Sequence, residues 1–308
     1  MRKRVKRKKS KKLWLKIPLA FIVLVFLGIG GYAYSVYNNA KKTVDQKIHE
    51  PVSSIDTGKT KQKIKEVEPL NILLLGIDAD GEEKGRSDAV MILTLDPKND
   101  QMQLVSIPRD TRTEIAGKGT VDKINHAYAF GGSEMAIETV ENFLDIELDY
   151  FVRINMAGFK QLVDELGTIT VHNDIAWSDG SYDFSFGPTE MDGDKTMAFV
   201  RMRKQDPDGD FGRTKRQRQV IEGIVNEGAS VASVTKLNGL IDVLGNNMGS
   251  NLEFDDMKTL LADYRNTRKN FVDYQMKGES QKIDGVYYMI VDEEEVQKVH
   301  DMIVNFGS

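Results

Sequence analysis

The chain has 308 residues, including 42 Lys and Arg, 47 Asp and Glu, and no cysteine. The lack of cysteine excludes a disulfide framework, a thiol nucleophile and a thiolate metal site. The net charge of −5 hides an asymmetry, because ten basic residues lie within residues 1–16. Subtracting these ten from 42 leaves 32 basic against 47 acidic residues, and a bulk nucleic-acid-binding protein would have the opposite balance.

An uncharged segment follows the basic N-terminus. Residues 17–37 are 21 residues without a charge, close to the roughly 20 that cross a bilayer as a helix. Basic residues beside such a segment favour a cytoplasmic location. We therefore predict a cytoplasmic tail (1–16), a transmembrane signal-anchor helix (17–37) and an extracellular remainder. A cleaved signal peptide, a basic nucleic-acid-binding tail and a buried core helix are the alternatives.

The predicted extracellular part begins with a stalk. Residues 38–68 are polar and show little periodicity, which is typical of a linker, so the domain is predicted to cover 69–308. Continuous apolar runs at 71–77, 89–95 and 102–107 indicate buried strands. Turn-forming residues at 96–100 predict a hairpin between the second and third strands.

Strands and helices alternate through the rest of the chain. Further strands are predicted at 151–154, 168–172, 271–276 and 286–291. Helices are predicted from Ser133, at 159–166, 192–202, 213–228, 231–246 and 255–268, and at the C-terminus, with loops at 173–191 and 204–212. This alternation predicts an α/β fold, an α-β-α sandwich around a central mixed sheet, preceded by one N-terminal transmembrane helix.

Three aspartates flank the first two predicted strands. Asp78 and Asp80 follow the first strand and Asp88 lies at the start of the second, so neighbouring strands would bring them to one edge of the sheet. Carboxylate oxygens suit Mg²⁺, which takes one or two protein carboxylates and leaves positions for water and phosphate. The alternative is an ordinary acidic loop in which Arg86 is an internal ion-pair partner.

Two further polar clusters follow strands or precede a helix. Arg109 and Asp110 come directly after the third strand, and a simple surface pair is the alternative. Lys123, Asn125 and His126 precede a predicted helix start, where phosphate binds favourably. His126 is interpreted as a structural residue or one at the rim of the site.

Five arginines lie within eighteen residues: Arg201, Arg203, Arg213, Arg216 and Arg218. A guanidinium group binds phosphate bidentately and stays charged. Arg213 and Gln217 share one helical face, whereas Arg201 and Arg203 can reach one ligand only if their helix ends near Met202. Pairing of these arginines with Asp206, Asp208 and Asp210 is the alternative. We expect Arg201, Arg203 and Arg213 to face a substrate, and Arg216 and Arg218 to be solvated or structural.

Other catalytic patterns are missing. The chain has no G-x-S-x-G motif and no Walker-type phosphate loop. Its four histidines are scattered along the sequence, which argues against a zinc site built on histidine.

Taken together, the motifs resemble those of the LytR–CpsA–Psr family. The segments that carry the resemblance are NILLLGID, RSDAVMILTL, VSIPRDT, KINHAYAFGG, MAGFKQLVDELG and FVRMRKQDPDGDFGRTKRQRQVI, in the family's order over roughly residues 69–225. The resemblance implies a single-pass type II protein of the Gram-positive cell membrane. It also implies a phosphotransferase that moves an anionic glycopolymer, such as wall teichoic acid, from a polyprenyl-diphosphate carrier. The acceptor would be a muramic acid hydroxyl of peptidoglycan, and the product a phosphodiester.

The resemblance also implies roles for single residues. Asp78 and Asp88 would hold Mg²⁺, with Mn²⁺ as a substitute, and Asp80 would be a third acid. The residues implied to bind the diphosphate are Arg86, Arg109, Lys123, Arg201, Arg203, Arg213 and Gln217. The catalytic candidates are Arg86, Arg109, Arg201 and Arg203. Apart from the resemblance, we take Asp110 as the candidate for a general base, because it is a carboxylate that would hold no metal. An apolar pocket for the polyprenyl chain would lie beneath the phosphate site.

Two other functions remain as alternatives. A hydrolase of the same lipid diphosphate would use water as the acceptor. A membrane-tethered transcriptional attenuator would need its domain on the cytoplasmic side, against the predicted topology.

Overall fold

The computed structural model of the protein describes residues 34–78, 85–228 and 234–307. Residues 1–33 and Asp80 lie outside the described residues, so most of the predicted signal anchor lies there too. Within the three described ranges, no helix combines the length and the apolar character needed to cross a membrane.

Groups of one to five consecutive strands are separated by helices along the chain. The strands are β1 (Leu70–Asp78), β2 (Arg86–Asp96), β3 (Gln101–Ile107), β4 (Arg112–Ile115), β5 (Thr120–Lys123), β6 (Tyr150–Asn155), β7 (Ile169–Asn173), β8 (Trp177–Ser178), β9 (Asp183–Phe184), β10 (Gly187–Met191), β11 (Met248–Ser250), β12 (Asn270–Gln275), β13 (Glu279–Ile283) and β14 (Val286–Ile290). The helices are α1 (34–43), α2 (Thr57–Glu66), α3 (His126–Leu144), α4 (Met156–Leu166), α5 (Gly193–Arg201), α6 (Asp210–Gly228), α7 (Val234–Asn247), α8 (Phe254–Thr259) and α9 (Glu293–Val304). A π-helical turn at Val44–Ile48 continues α1, and irregular helical turns cover Leu260–Tyr264 and Arg265–Lys269.

Six strands form one mixed sheet in the order β11-β6-β1-β2-β3-β12. The pairs β1–β2 and β2–β3 are antiparallel, as expected for the predicted hairpin, whereas β1–β6 and β3–β12 are parallel. Alternate residues of β1 are buried on opposite faces: Leu73 and Leu75 pack with α3 and α9, and Leu70 and Ile72 pack in a cluster that Ile221 of α6 also contacts. Because both faces are covered, these strands read as continuous apolar runs. The mixed α/β fold with a central mixed sheet is confirmed.

A separate apolar cluster lies beside the sheet and positions α5 and α6. It joins α4, α5, α6 and the antiparallel β7–β10 pair, with Phe199 and Val220 fully buried. The Asp192 side chain accepts a hydrogen bond from the Lys195 backbone N–H at 2.9 Å and so caps α5. The helix ends at Arg201, and Met202 has a non-helical backbone (φ −59°, ψ 131°). Arg201 and Arg203 need this helix end if both are to reach one ligand.

The segment 38–68 differs from the predicted stalk. Ala40, Val44 and Ile48 are buried and continue the four-residue spacing of the buried Val36 at the end of the predicted anchor, so the segment has an apolar face that its polar composition concealed. Further along, the Glu50 carboxylate accepts hydrogen bonds from Ser133 Oγ and Arg153 Nε, both at 2.6 Å. The folded unit therefore includes residues before 69.

Three smaller features also differ from the prediction. Helix α3 begins at His126 rather than near Ser133, and Gly131 and Gly132 form a kink inside it, with Gly132 at φ 68°. The long loop at 173–191 contains the short hairpin β8–β9 and strand β10. The polar strand β13 was not predicted, because its residues show no apolar run.

Two arginines of the basic segment are buried and structural. Arg216 donates hydrogen bonds to the carbonyl oxygens of Phe199 and Met202 and pairs with the Asp206 carboxylate. Arg218 pairs with Asp273 of β12 and donates to Ser106 Oγ of β3 at 3.1 Å. The two residues attach α6 to the end of α5 and to the sheet.

We predict that Arg216→Met lowers the free energy of unfolding by about 3–5 kcal/mol, because it leaves the Asp206 carboxylate buried without its cation. Urea unfolding of the detergent-solubilised full-length protein, followed by circular dichroism, measures this change. The control is Lys215→Met, in which an exposed lysine 3.0 Å from Asp174 is removed from the same helix. It should change stability by less than about 1 kcal/mol. Equal changes for the two variants would contradict a structural role for Arg216.

Candidate active site

A β-bulge sets the geometry at the edge of the sheet where β1 ends and β2 begins. Gly76 lies opposite Ala89 and Ile77 lies opposite Ser87, so Asp88 is the extra residue of β2. Bulges reorient a side chain and are frequent beside active sites. A Cβ atom at Gly76 would lie 3.0 Å from the Ala89 Cβ, so glycine lets the two strands approach closely beside the bulge.

The bulged aspartate meets an arginine from the neighbouring strand. Val90 of β2 lies opposite Ile107 of β3, so Asp88 and Arg109 lie just beyond that pair on adjacent chains. Arg109 Nη1 is 2.8 Å from Asp88 Oδ1, and both side chains are 23% exposed. Burial disfavours the Arg109 cation, but the Asp88 carboxylate outweighs this effect and raises the Arg109 pKa. Arg109 is therefore a permanent cation at the edge of the site.

Asp110 lies between two cations. Its carboxylate accepts a hydrogen bond from Lys123 Nζ at 2.7 Å, and its second oxygen is 3.8 Å from Arg109 Nε. The antiparallel β4–β5 pair positions Lys123 beside Asp110. The adjacent His126 ring instead contacts the Asp122 carboxylate at 2.9 Å, in agreement with a structural role for His126.

The first turn of α6 contributes a second acidic residue and a second arginine. Arg213 Nη2 is 2.8 Å from Asp210 Oδ1, and Arg203 Nε is 3.6 Å from the same oxygen. The Arg213 side chain is only 15% exposed. Its burial and the nearby Arg109 and Arg203 cations lower the Arg213 pKa, while Asp210 and Asp88 oppose this shift. Arg213 is therefore close enough to Arg109 and Arg203 for their positive charges to repel one another.

The cluster carries a surplus of positive charge. Four cations (Arg109, Lys123, Arg203 and Arg213) face three carboxylates (Asp88, Asp110 and Asp210). Arg213 Nε is buried and has no hydrogen-bond acceptor among the described residues. A buried donor without an acceptor is costly, and surplus arginine charge favours a phosphate ligand. The arrangement can therefore bind a multiply charged anion.

The remaining predicted residues lie around this cluster. Asp78 and Arg86 are opposite one another at the ends of β1 and β2, and both are exposed. Arg201 is exposed at the end of α5 and lines a surface groove with Arg203. Gln217 lies one helical turn beyond Arg213 and lines an apolar cavity.

One residue of the cluster, Asp210, was considered from the sequence only as an alternative partner for the arginines. In the structure it joins Arg203 to Arg213. Its position three residues before Arg213, in the first turn of a helix, is the sequence signal that could have identified it.

The residues at this edge fit a hard divalent cation. Asp88 uses Oδ1 for Arg109, which leaves Oδ2, and Asp78 has no ion pair within the described ranges. Two carboxylates are the number that Mg²⁺ usually takes from a protein. No group of three or more acidic or histidine side chains close enough to hold a metal occurs in the part of the chain that the structure describes, and the predicted third acid, Asp80, lies outside it.

An apolar cavity of about 270 Å³ lies next to the cluster, between the sheet and helices α4, α6 and α7. Its walls are mainly aliphatic and include Met91, Val152 and Ile221. Gln217 and Asn155 are the polar side chains in its lining. Because Arg213, Gln217 and Ile221 follow one another at four-residue spacing on α6, this helix connects the charged cluster to the cavity.

The chain is similar to known proteins both in sequence and in structure. The sequence model of the LytR_cpsA_psr family matches residues 31–304. The polyisoprenyl-teichoic acid–peptidoglycan teichoic acid transferase TagU of Bacillus subtilis (strain 168) is 47% identical over 293 residues, which cover 94% of each chain. The crystal structure of B. subtilis TagU has a TM-score of 0.66 and 43% identity, covering 77% of this chain and 96% of that one.

A ligand-bound relative has the same fold. The structure of TagT bound to LIIa-WTA has a TM-score of 0.67 and 31% identity, and it covers 82% of this chain and 93% of that one. Since the family match spans most of the chain and the identities extend over nearly its whole length, the protein belongs to the LytR_cpsA_psr family.

Proposed function

We propose that the protein transfers an anionic cell-wall glycopolymer, in the first place wall teichoic acid, from a polyprenyl-diphosphate carrier to peptidoglycan. The observation that carries this proposal is the continuity of the charged cluster with the apolar cavity along α6. A lipid diphosphate joins a charged group and a hydrocarbon chain in one molecule, so it matches both the cluster and the cavity. The names of the relatives support the assignment: TagU is a teichoic acid transferase to peptidoglycan, and TagT is described bound to LIIa-WTA.

The diphosphate would lie against Arg109, Arg203 and Arg213. Their charges are only partly neutralised by Asp88 and Asp210, so an anion replaces repulsion between cations by attraction. Lys123, Arg86 and Arg201 would add further positive charge that attracts the diphosphate. Gln217 would mark the point where the diphosphate ends and the prenyl chain begins.

The prenyl chain would occupy the apolar cavity. Burial of hydrocarbon is favourable by roughly 25 cal/mol per Å² of apolar surface. Leu74, Met91 and Ile221, which line the cavity, offer no polar group that would need a partner. The cavity would therefore favour a carrier with a hydrocarbon tail over a nucleotide carrier.

Asp78 and Asp88 would hold Mg²⁺ or Mn²⁺ at the diphosphate. A bound divalent cation would neutralise phosphate oxygens that gain charge during phosphoryl transfer. Among the residues of this chain, Arg109, Arg203 and Arg213 would provide the same stabilisation through fixed donors.

At phosphorus, the proposed reaction forms one P–O bond and breaks another. The oxygen of a muramic acid hydroxyl attacks the phosphorus that carries the glycan, and the bond from that phosphorus to the bridging oxygen breaks. Polyprenyl monophosphate leaves, and the glycan and the acceptor become joined by a phosphodiester. The hydroxyl proton would pass to a carboxylate, for which we propose Asp110. Asp110 lies in the charged cluster, with Lys123 Nζ 2.7 Å from one of its oxygens and Arg109 Nε 3.8 Å from the other.

The predicted topology agrees with such a substrate. A signal anchor at 17–37 with a basic cytoplasmic tail would hold the domain near the outer leaflet, where a lipid carrier presents its glycan. Protease treatment of intact protoplasts tests the topology, since an extracellular domain is digested and a cytoplasmic one is protected. Protection would also restore the transcriptional attenuator as an explanation.

Purified full-length protein tests the reaction directly. It is incubated with a lipid-diphosphate-linked disaccharide, peptidoglycan oligomers and Mg²⁺, and the products are separated by mass. A coupled glycan–phosphate–peptidoglycan product supports the proposal. Release of free phosphorylated disaccharide with no coupled product would instead identify a hydrolase.

We expect Asp88→Asn and Arg203→Ala each to lower transfer by about 100-fold or more, the size of effect seen when one charge-stabilising group is removed. Stability should change by less than about 1 kcal/mol for Arg203→Ala, because that side chain is 59% exposed and its ion pair is long. Transfer rates and thermal unfolding are measured on the same preparations.

The matched control for this pair is Arg265→Ala, which removes an exposed arginine from the segment Arg265–Lys269. It should leave both transfer and stability near the wild-type values. A large loss of stability in Arg203→Ala, in proportion to its loss of transfer, would mean that these ion pairs only support the fold.

The apolar cavity leads to a second prediction. Ile221→Trp places a larger side chain in the space of about 270 Å³, so it should raise the KM for a long-chain polyprenyl donor about tenfold, by excluding part of its buried hydrocarbon. A donor with a short chain should be affected much less. Ile221→Met, which keeps the volume nearly constant, is the control. Equal effects on long and short donors would contradict lipid binding in the cavity.

A further inference from the structure

A surface groove lies beside α5, on a different face of this helix from the apolar cavity. It has a volume of about 590 Å³ and is bounded by the end of α5, the β8 strand and the residues that follow α5. Arg201, Arg203, Lys204 and Gln205 form one wall, and Trp177 is also part of its lining. The reaction proposed above uses Arg201 and Arg203 but assigns nothing to the groove itself.

The groove has positive charge that the protein does not neutralise. Arg201 and Lys204 form no ion pair within the described residues. Two acids also line the groove: Asp179 accepts hydrogen bonds from the backbone N–H groups of residues 181 and 182, both at 2.8 Å, which leave its charge in place, and Asp194 pairs with Lys160 at 2.9 Å. The lining therefore has three cations (Arg201, Arg203 and Lys204) against two carboxylates. The free cations therefore favour an anionic ligand from outside the chain.

The wall and lining of the groove are held in place. The Trp177 ring stacks on Phe184 with 3.9 Å between ring centroids, and it is only 8% exposed. Gln205 Nε2 donates a hydrogen bond to the Ser178 carbonyl oxygen at 2.8 Å and so connects the two sides. The Trp177 Nε1–H group is buried and has no acceptor in the part of the chain that the structure describes. A preorganised groove loses less entropy when it binds a flexible polymer.

The groove is continuous with the charged cluster and separated from the cavity by a single helix end. Arg203 lines the groove and is also 3.6 Å from Asp210, the carboxylate that contacts Arg213. Val200 lines the apolar cavity, whereas the next residue, Arg201, lines the groove. The end of α5 thus has an apolar side and a basic side, with the cluster beside both.

We propose that this groove binds the anionic glycan of the donor beyond its diphosphate, through the negative charge of a phosphodiester in the polymer. The inference rests on the proposed function, since it takes the cavity as the site of the lipid end. A donor with hydrocarbon in the cavity and diphosphate at the arginines would then have its polymer end beside Arg203, where the groove begins. The groove makes the enzyme favour donors that already carry polymer phosphates over an unextended linkage disaccharide.

The test compares two lipid-diphosphate donors with the full-length protein. One carries only the uncharged disaccharide, and the other carries the same disaccharide extended by three polyol-phosphate units. In wild type, kcat/KM for the extended donor should exceed that for the short donor. Lys204→Glu should lower the ratio of the two values about tenfold, the factor expected when one charge-assisted contact is replaced by repulsion. Raising the salt concentration should lower the wild-type ratio in the same direction.

The matched control is Lys65→Glu, which makes the same charge change at an exposed lysine of α2. It should leave the ratio at the wild-type value, which separates a local contact from a change in net charge. An unchanged ratio in Lys204→Glu, with both donors still transferred, would overturn the groove proposal and leave the proposed function intact. Absence of transfer of either donor by wild-type protein would instead overturn the proposed function.

Discussion

Positive charges that repel one another must be held together at the edge of the sheet before a substrate arrives, and the rest of the site depends on how the fold does this. Arg109 and Arg213 are both largely buried; burial lowers the pKa of Arg213, and repulsion from Arg109 lowers it further. Asp88 and Asp210 offset part of this cost, one from each side of the cluster. The fold thus stabilises the arginines without neutralising them, which leaves their remaining charge available to an anion.

Two structural devices keep those charges in position. On the sheet side, the bulge at Asp88 places a carboxylate opposite Arg109 where a regular strand would direct it elsewhere. On the helix side, the guanidinium group of Arg216 binds the carbonyl oxygens at the end of α5 and the Asp206 carboxylate. It thereby fixes the chain reversal between Arg203 and Arg213. Arg216, which is buried and would contact no substrate, therefore supports Arg203 and Arg213, which would contact it.

The sequence predicted the parts of this arrangement that follow from periodicity. Apolar runs located β1, β2 and β3, and four-residue spacing correctly separated Arg213 and Gln217 from Arg216 and Arg218. It did not predict the bulge, because a register shift depends on the pairing of two strands and leaves no mark in either strand alone. Asp210 was considered only as an alternative partner of the arginines, because its proximity to Arg203 arises from a loop whose path the sequence does not predict.

Composition misled the prediction at the N-terminal segment of the domain. Residues 38–68 are polar on average, yet a narrow apolar face is enough to pack α1 and the following turn on the domain. The Glu50 carboxylate then links this segment to Ser133 at the kink of α3 and to Arg153 of β6. Such long-range polar contacts are specific to the folded structure, and average hydropathy contains no information about them.

At the end of α5, an apolar surface and a basic surface lie only one residue apart in the sequence. Val200 and Arg201 are adjacent, and consecutive helical residues are about 100° apart around the axis. One therefore faces the apolar cavity and the other the basic groove. Because the helix stops directly afterwards, Arg203 is released from helical geometry and can lie beside Asp210. The binding sites for hydrocarbon, diphosphate and glycan would then meet within the four residues 200–203. If the helix were shifted by one residue, an arginine would face the apolar cavity.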